Sequence, residues 1–129
     1  MQKKAIRIIT NSDYLSHTSD LFEKEKTLRI NQINILEISL LMFKYFNNQL
    51  PDSFEGLFLL NREIHHHNTR QCKHSHVKPK RSRLGQFSIS YTGPRTWNKF
   101  NLFNIKSKTT PHFKKQMKNI LIQLKGSNC

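Results

Sequence analysis

The chain has 129 residues, of which 36% are hydrophobic, and a formal net charge of +14. This length suits one domain with a modest core, and it is too short for a polymerase or a two-domain enzyme. Residues 1–60 carry seven basic and seven acidic side chains, whereas residues 61–129 carry fifteen basic and one acidic. A one-sided basic surface attracts polyanions and gains affinity by releasing their counterions. The charge pattern therefore favours a polyanionic partner, either nucleic acid or an anionic membrane, over a surface that only keeps the protein in solution.

The charge-balanced first half is predicted to be helical. Its three helices are expected over residues 2–10, 16–26 and 32–48. The second helix should bury Leu21 and Phe22. The longest helix is expected to begin after Asn31, a favourable N-cap, and to end before Pro51. Apolar residues cover most of the circumference of this helix, which is typical of a central helix packed on several sides.

From residue 61 the pattern changes to a basic, histidine-rich loop that extends to residue 84. Residues 87–91 (FSISY) then alternate apolar and polar side chains, as a half-buried strand does, and Val77 gives a weaker strand signal. Residues 92–94 (TGP) predict a turn. A short helix that opens at Pro94 and carries Trp97 is expected to follow.

The last predicted element is an amphipathic helix that begins at Thr110-Pro111 and closes at Gly126. Helical spacing puts five apolar residues in one stripe, namely Phe113, Met117, Ile120, Leu121 and Leu124. Four lysines stay on the wet face, namely Lys114, Lys115, Lys118 and Lys125.

Together these elements predict a mainly α fold with a small β element. A helical bundle should pack around the central helix near residues 32–48, with the basic loop and a short strand or hairpin near residues 77–91. We expect one domain with three successive parts, which are residues 1–60, 61–84 and 85–129.

The two cysteines, Cys72 and Cys129, give no disulfide framework and favour an intracellular compartment, either nucleus or cytoplasm. Every apolar stretch is too short or too interrupted to span a bilayer, so no membrane association is expected. Cys72, His74 and His76 alternate along the chain, so an extended backbone would give at most one side of a zinc site. We expect no cofactor, and a small zinc-binding module stays as an alternative.

The sequence carries no recognisable catalytic constellation. Its eight acidic residues form no Asp-Asp or Asp-x-Asp pair that would hold two metals for phosphoryl transfer. Its four glycines form no phosphate-binding loop, and no serine occupies a nucleophile elbow. We therefore expect that this chain is not an enzyme by itself.

Candidate contacts to nucleic acid lie in the basic loop and directly after it. Arginine and lysine bind phosphates, and arginine does so in a bidentate manner. Aromatic side chains interleaved with basic ones suit a strand whose bases stack on them. The predicted contact residues are Arg70, Lys78, Lys80, Arg81, Arg83, Tyr91, Arg95 and Lys99. Trp97, beside the Gly-Pro step, is interpreted as a core residue.

Four stretches of the sequence match, in chain order, a pattern known from one protein family. They are residues 2–10 (QKKAIRIIT), Lys44-Tyr45 with Leu50-Pro51 and Phe54, residues 67–70 (HNTR), and residues 84–98 with Leu84-Gly85, Ser90-Tyr91, Gly93-Pro94 and Trp97-Asn98. Together they resemble the segment downstream of the reverse-transcriptase domain in non-LTR (LINE-type, jockey-like) retrotransposon proteins. The resemblance covers about residues 2–124. It departs from the family at His67, where tyrosine is usual, and after Asn98, where Leu-Pro does not follow.

This resemblance implies a parent protein that is an RNA-directed DNA polymerase, whose palm and metal-binding aspartates lie upstream of these residues. Met1 would then be an ordinary in-frame methionine. The chain would correspond to thumb-like helices and a basic region that grip the RNA template or the template–primer duplex, non-specifically and in a salt-dependent way. The family positions expected to act structurally are Asn68, Thr69, Gly85, Gly93, Pro94, Trp97 and Asn98.

A different class of function is also open. The chain would then be an interaction module that docks onto a separate polymerase core. Its interface would be the apolar stripe of residues 113–124 or the helix of residues 33–46.

Overall fold

The computed structural model describes residues 1–65, 67, 69–102, 105 and 107–124. The mainly helical class is confirmed, because these residues form six α-helices. In chain order the helices are α1 (Gln2–Ile9), α2 (Thr18–Lys24), α3 (Ile30–Phe46), α4 (Asn61–Ile64), α5 (Ile89–Lys99) and α6 (Thr110–Gln123). Two short 3-10 turns, Asp52–Phe54 and Gly85–Phe87, lie between these helices. None of the described helices is both long and apolar enough to cross a membrane.

The first three helices end in the same way. The residue that follows each C-cap adopts a left-handed conformation, with φ of +48° at Asn11, +47° at Lys26 and +53° at Asn48. After α3, the Gln49 amide donates to the Lys44 carbonyl at 2.8 Å, which is the bond of a Schellman motif. Helix α3 therefore ends at Phe46, before the predicted stop at residue 51.

Helix α3 lies at the centre, as the sequence predicted, and both α5 and α6 pack on it. The Phe113 ring of α6 stacks on Phe43 of α3 with 4.3 Å between centroids. Trp97 of α5 lies 6.1 Å from Phe113 in a near-parallel orientation. The Gln32 side chain donates to the Leu121 carbonyl at 2.6 Å, which joins the beginning of α3 to the end of α6. Aromatic stacking thus joins all three helices in one core.

Helix α6 is amphipathic as predicted, but its buried stripe has fewer residues than expected. Phe113, Met117 and Leu121 are buried, whereas Leu124 is exposed. Three of the four predicted wet lysines are exposed, namely Lys114, Lys115 and Lys118. The fourth, Lys125, and the predicted closure at Gly126 lie outside the described residues.

The small β element is not confirmed. The predicted strand over residues 87–91 is wrong, because Phe87 ends a 3-10 turn and α5 begins at Ile89. Residues 76–80, around Val77, have no regular structure, and one isolated bridge, between Leu60 and Ser75, is the pairing found among the described residues. A five-residue alternation is too short to outweigh local hydrogen bonds. The Ser88 hydroxyl donates to the Gly85 carbonyl at 2.6 Å and so fixes the turn that starts α5.

The predicted turn over residues 92–94 is also wrong, because Gly93 and Pro94 lie buried inside α5. Gly93 allows α5 to approach α3 closely. A Cβ atom at this position would lie 2.9 Å from the Met42 Sδ and 3.1 Å from the Phe58 ring. Both distances are shorter than van der Waals contact allows, so the absence of a side chain is a packing requirement.

We expect Gly93→Ala to destabilise the fold by about 1–3 kcal/mol, since overpacking exceeds the gain in helix propensity. Urea denaturation measures the change. Gly85→Ala is the control: a Cβ there lies 2.9 Å from the Ser82 hydroxyl and 3.3 Å from the Lys80 Cβ, but this turn lies at the surface and can shift at the cost of the hydrogen bond from the Gly85 amide to Ser82. We expect a smaller loss for the control. A Gly93→Ala protein that is as stable as wild type would contradict the close approach.

Candidate nucleic-acid interface

One residue of the basic loop, Ser75, is hydrogen-bonded to helix α5. The Asn98 side chain donates to the Ser75 carbonyl at 2.7 Å and accepts from the Ser75 amide at 3.0 Å. Ser75 is 1% exposed, so both bonds satisfy backbone groups that water cannot reach. Asn98 was predicted to act structurally, and it does so as the hydrogen-bonding partner of a buried loop residue.

The same loop is also fastened at its other end. The Gly85 amide donates to the Ser82 hydroxyl at 3.0 Å, and the Gln86 side chain donates to the Lys80 carbonyl at 3.3 Å. A Cβ atom on Gly85 would lie 3.3 Å from the Lys80 Cβ, so this glycine permits a tight turn. Residues 76–84 therefore return from the carboxyl end of α5, at Asn98, to its amino end.

Seven of the eight predicted contact residues lie along this path, namely Tyr91 of α5 and six cations. Arg95 and Lys99 lie one helical turn apart on the exposed face of α5, opposite the buried residues Gly93 and Trp97. Four more cations lie in the returning segment, namely Lys78, Lys80, Arg81 and Arg83. All six are exposed except Lys80, which is half-buried. We call these six residues the α5 basic surface.

A groove of about 380 Å³ opens on this surface. It is lined by Asn34, Arg83, Gln86, Phe87, Tyr91, Thr92, Arg95 and Thr96. Three of the predicted contact residues, Arg83, Tyr91 and Arg95, therefore line one groove. The Arg95 guanidinium lies 5.8 Å from the centre of the Tyr91 ring, in cation–π contact. None of the described lining residues is acidic, so the groove suits an anionic ligand.

Sequence reasoning did not identify Phe87 as a contact residue. It was assigned to a strand, whereas the structure leaves its side chain 75% exposed at the edge of the groove. A signal was present in the sequence. Residues 83, 87, 91, 95 and 99 are basic, aromatic, aromatic, basic and basic at a constant spacing of four, and this spacing would have indicated one face had a helix been expected here.

Arg70 and Thr69 lie apart from this groove. Both are exposed in the loop that follows α4, where the Arg62 amide donates to the Cys72 carbonyl at 3.1 Å. Asn68, the third residue of that motif, lies outside the described residues. The other family positions, Gly93, Pro94 and Trp97, are buried in the core, and the interpretation of Trp97 as a core residue is confirmed.

A larger cleft among the described residues lies elsewhere and has the opposite charge. It measures about 850 Å³ and lies between the end of α3 and helix α4. Three of its lining residues are acidic, namely Asp52, Glu55 and Glu63, and Arg62 is the basic one. This cleft would repel a phosphate backbone, so its size does not make it the candidate site.

The alternative sites predicted from sequence find less support in the geometry. Within the described residues, no three histidine, cysteine or acidic side chains converge in a way that would hold a metal ion. The two apolar faces considered for docking, on α3 and α6, pack against each other through Phe43 and Phe113. Comparisons of the chain with protein families, with curated proteins and with solved structures find no match.

Proposed function

We propose that this chain binds nucleic acid through the α5 basic surface, without sequence preference and without catalysing a reaction. The observation that carries the proposal is the groove that Arg83 and Arg95 line together, with no acidic residue among its described lining. Four more cations lie on α5 and on the segment that returns along it. Each phosphate neutralised by such a surface releases counterions, which favours binding at low salt. Contacts of this kind fix the position of a nucleic acid but do not read its sequence.

The resemblance to LINE-type reverse transcriptases gives this binding a place in a larger protein. In that setting the α5 basic surface would grip the RNA template or the template–primer duplex after it leaves an upstream palm. Chemistry would belong to that palm, and the present residues would contribute affinity and orientation. The buried motif residues Gly93, Pro94 and Trp97 would keep the surface in shape rather than touch the ligand.

The test is the salt dependence of binding to labelled single-stranded and duplex oligonucleotides. We expect tight binding at low salt and a linear fall of log K with log salt concentration. The variant Lys78→Gln/Arg81→Gln/Lys99→Gln removes three exposed cations of the surface and leaves the groove intact. We expect the slope to become shallower by about two for single strands, since each lost phosphate contact removes roughly 0.7.

A matched control separates this surface from diffuse positive charge. Lys114→Gln/Lys115→Gln/Lys118→Gln lowers the net charge by the same three units on the exposed face of α6. We expect that this variant keeps nearly the wild-type slope. Absent binding at low salt, a slope near zero in the wild type, or equal losses in the two triple variants would each overturn the proposal.

The interaction-module hypothesis has a different candidate surface once the structure is known. Four large apolar side chains between residues 8 and 15, at the end of α1 and in the turn after it, are exposed. They are Ile8, Ile9, Tyr14 and Leu15. A polymerase core that covers these side chains would remove unfavourable apolar area from water. This second candidate would gain weight if the oligonucleotide titrations showed no binding.

A further inference from the structure

We propose that the groove on the α5 basic surface holds one unpaired base of a single-stranded nucleic acid, with Phe87 as its stacking platform. This inference rests on the proposed function and deepens it, because it names the form of nucleic acid that is bound. Duplex contacts would use the phosphates alone, whereas the groove requires a base whose face is free.

The first observation is the position of Phe87. A phenyl ring that is 75% exposed leaves a large apolar face in water. Its backbone is nevertheless fixed, because the Phe87 amide donates to the Leu84 carbonyl at 3.1 Å and Ser88 closes the same turn on Gly85. The ring is thus presented on an ordered turn rather than on a loose loop, so less conformational entropy is lost when a ligand stacks on it.

The second observation is the order of the groove's side chains. Along the chain, Arg83 and Arg95 flank the two aromatic residues Phe87 and Tyr91 at intervals of four. A ligand that matches this order has a flat apolar part for the aromatic rings and an anion on either side for the arginines. A nucleobase between its two flanking phosphates has this chemistry. The Tyr91 ring already carries the Arg95 guanidinium. Phe87 is therefore the aromatic side chain that offers its face to a ligand.

The polar lining of the groove fits a base edge without fixing its identity. Asn34 and Gln86 carry side-chain amides, which both donate and accept hydrogen bonds, and Thr92 and Thr96 carry hydroxyls. Such groups accept any of the four bases. Within a duplex each base is covered by its stacked neighbours, so an unpaired strand is the form that places a base against Phe87.

The experiment compares Phe87→Ala with wild type on single-stranded and duplex oligonucleotides of equal length, by fluorescence anisotropy at fixed salt. We expect single-strand affinity to fall about tenfold or more and duplex affinity to change by less than about twofold. Phe87→Trp should keep or raise single-strand affinity. Leu84→Ala is the matched control, because Leu84 is also an exposed apolar residue, at 83%, but does not line the groove. We expect no change for it.

Separate ribo- and deoxyribo-oligonucleotides should lose affinity by similar factors, since the face of a base is the same in both. Equal losses on single strands and duplex, or no loss on single strands, would overturn the proposed stacking while the salt dependence of wild type still stood. No binding of wild type to either form would instead overturn the proposed function itself. The two failures are therefore distinguishable in one set of titrations.

Discussion

Phe113→Ala should cost about 3–5 kcal/mol of folding free energy, the range for removing a large ring from a packed core. Phe113 is 0% exposed and stacks on Phe43 and, less closely, on Trp97. Its ring therefore joins α6 to both α3 and α5. Because domains of this size are stable by only about 5–15 kcal/mol, the variant should lie near the limit of folding. Urea denaturation followed by circular dichroism measures the loss.

The chain offers a matched control for this substitution. Phe87→Ala removes the same ring from a position that is 75% exposed, so we expect a change in stability within about 0.5 kcal/mol. Phe113→Leu, which refills part of the space, should lose less than Phe113→Ala. A Phe113→Ala protein within about 1 kcal/mol of wild type would show that the three helices do not depend on this ring.

Four of the six described helices could be predicted from sequence, and they are α1, α2, α3 and α6. In α6 the apolar residues recur at helical spacing over 14 residues, whereas α3 is apolar over most of its circumference along 17 residues. Ends were less predictable, since α3 starts after Arg29 and ends before Asn47, two residues earlier than expected at both ends. The Gln32 side chain accepts from the Arg29 amide at 2.9 Å, a local contact that propensity alone does not reveal.

The first half of helix α5 could not be predicted because its signals are tertiary, whereas its second half was expected as a short helix that opens at Pro94. Gly93 and Pro94 are turn formers in isolation, yet both are buried against other parts of the chain. Glycine is required there by the approach of Met42 and Phe58, and neither residue is near it in sequence. Because the start of α5 was missed, the groove of the candidate site was missed as well. The cations were visible as residue types, but the groove exists only because residues 83–95 continue from a turn into a helix.

Gln2, Tyr45 and Asn98, three residues of the four sequence stretches quoted for the expected family, have the same structural role. The side chains of Gln2, Tyr45 and Asn98 each bond to backbone groups of a distant segment. Gln2 bonds to Leu28 and Ile30, Tyr45 to Phe58, and Asn98 to Ser75. Each holds a connection between helices at a defined place. These three residues therefore stabilise the fold of this chain, whether or not a ligand is bound.

Asn98→Ala should be the most informative of these changes, because it acts on both the fold and the proposed surface. It leaves the amide and carbonyl of buried Ser75 without the partners that Asn98 provides. Each such loss costs about 1–3 kcal/mol, so we expect a total of about 2–4 kcal/mol by urea denaturation. Asn119→Ala, at an exposed position of α6, is the matched control and should be neutral or slightly stabilising.

The same variant tests how the basic segment is held. Without Asn98, residues 76–84 lose their bond to the carboxyl end of α5 and keep the bond from the His76 amide to the Leu59 carbonyl and the turn at Gly85 and Gln86. We therefore expect limited trypsin digestion to cut faster after Lys80, Arg81 and Arg83. Nucleic-acid affinity should fall although the net charge stays at +14, because binding must then order the segment at an entropic cost. If the digestion pattern and the affinity both match those of wild type, the six cations act as a charged chain and not as a surface that Asn98 builds.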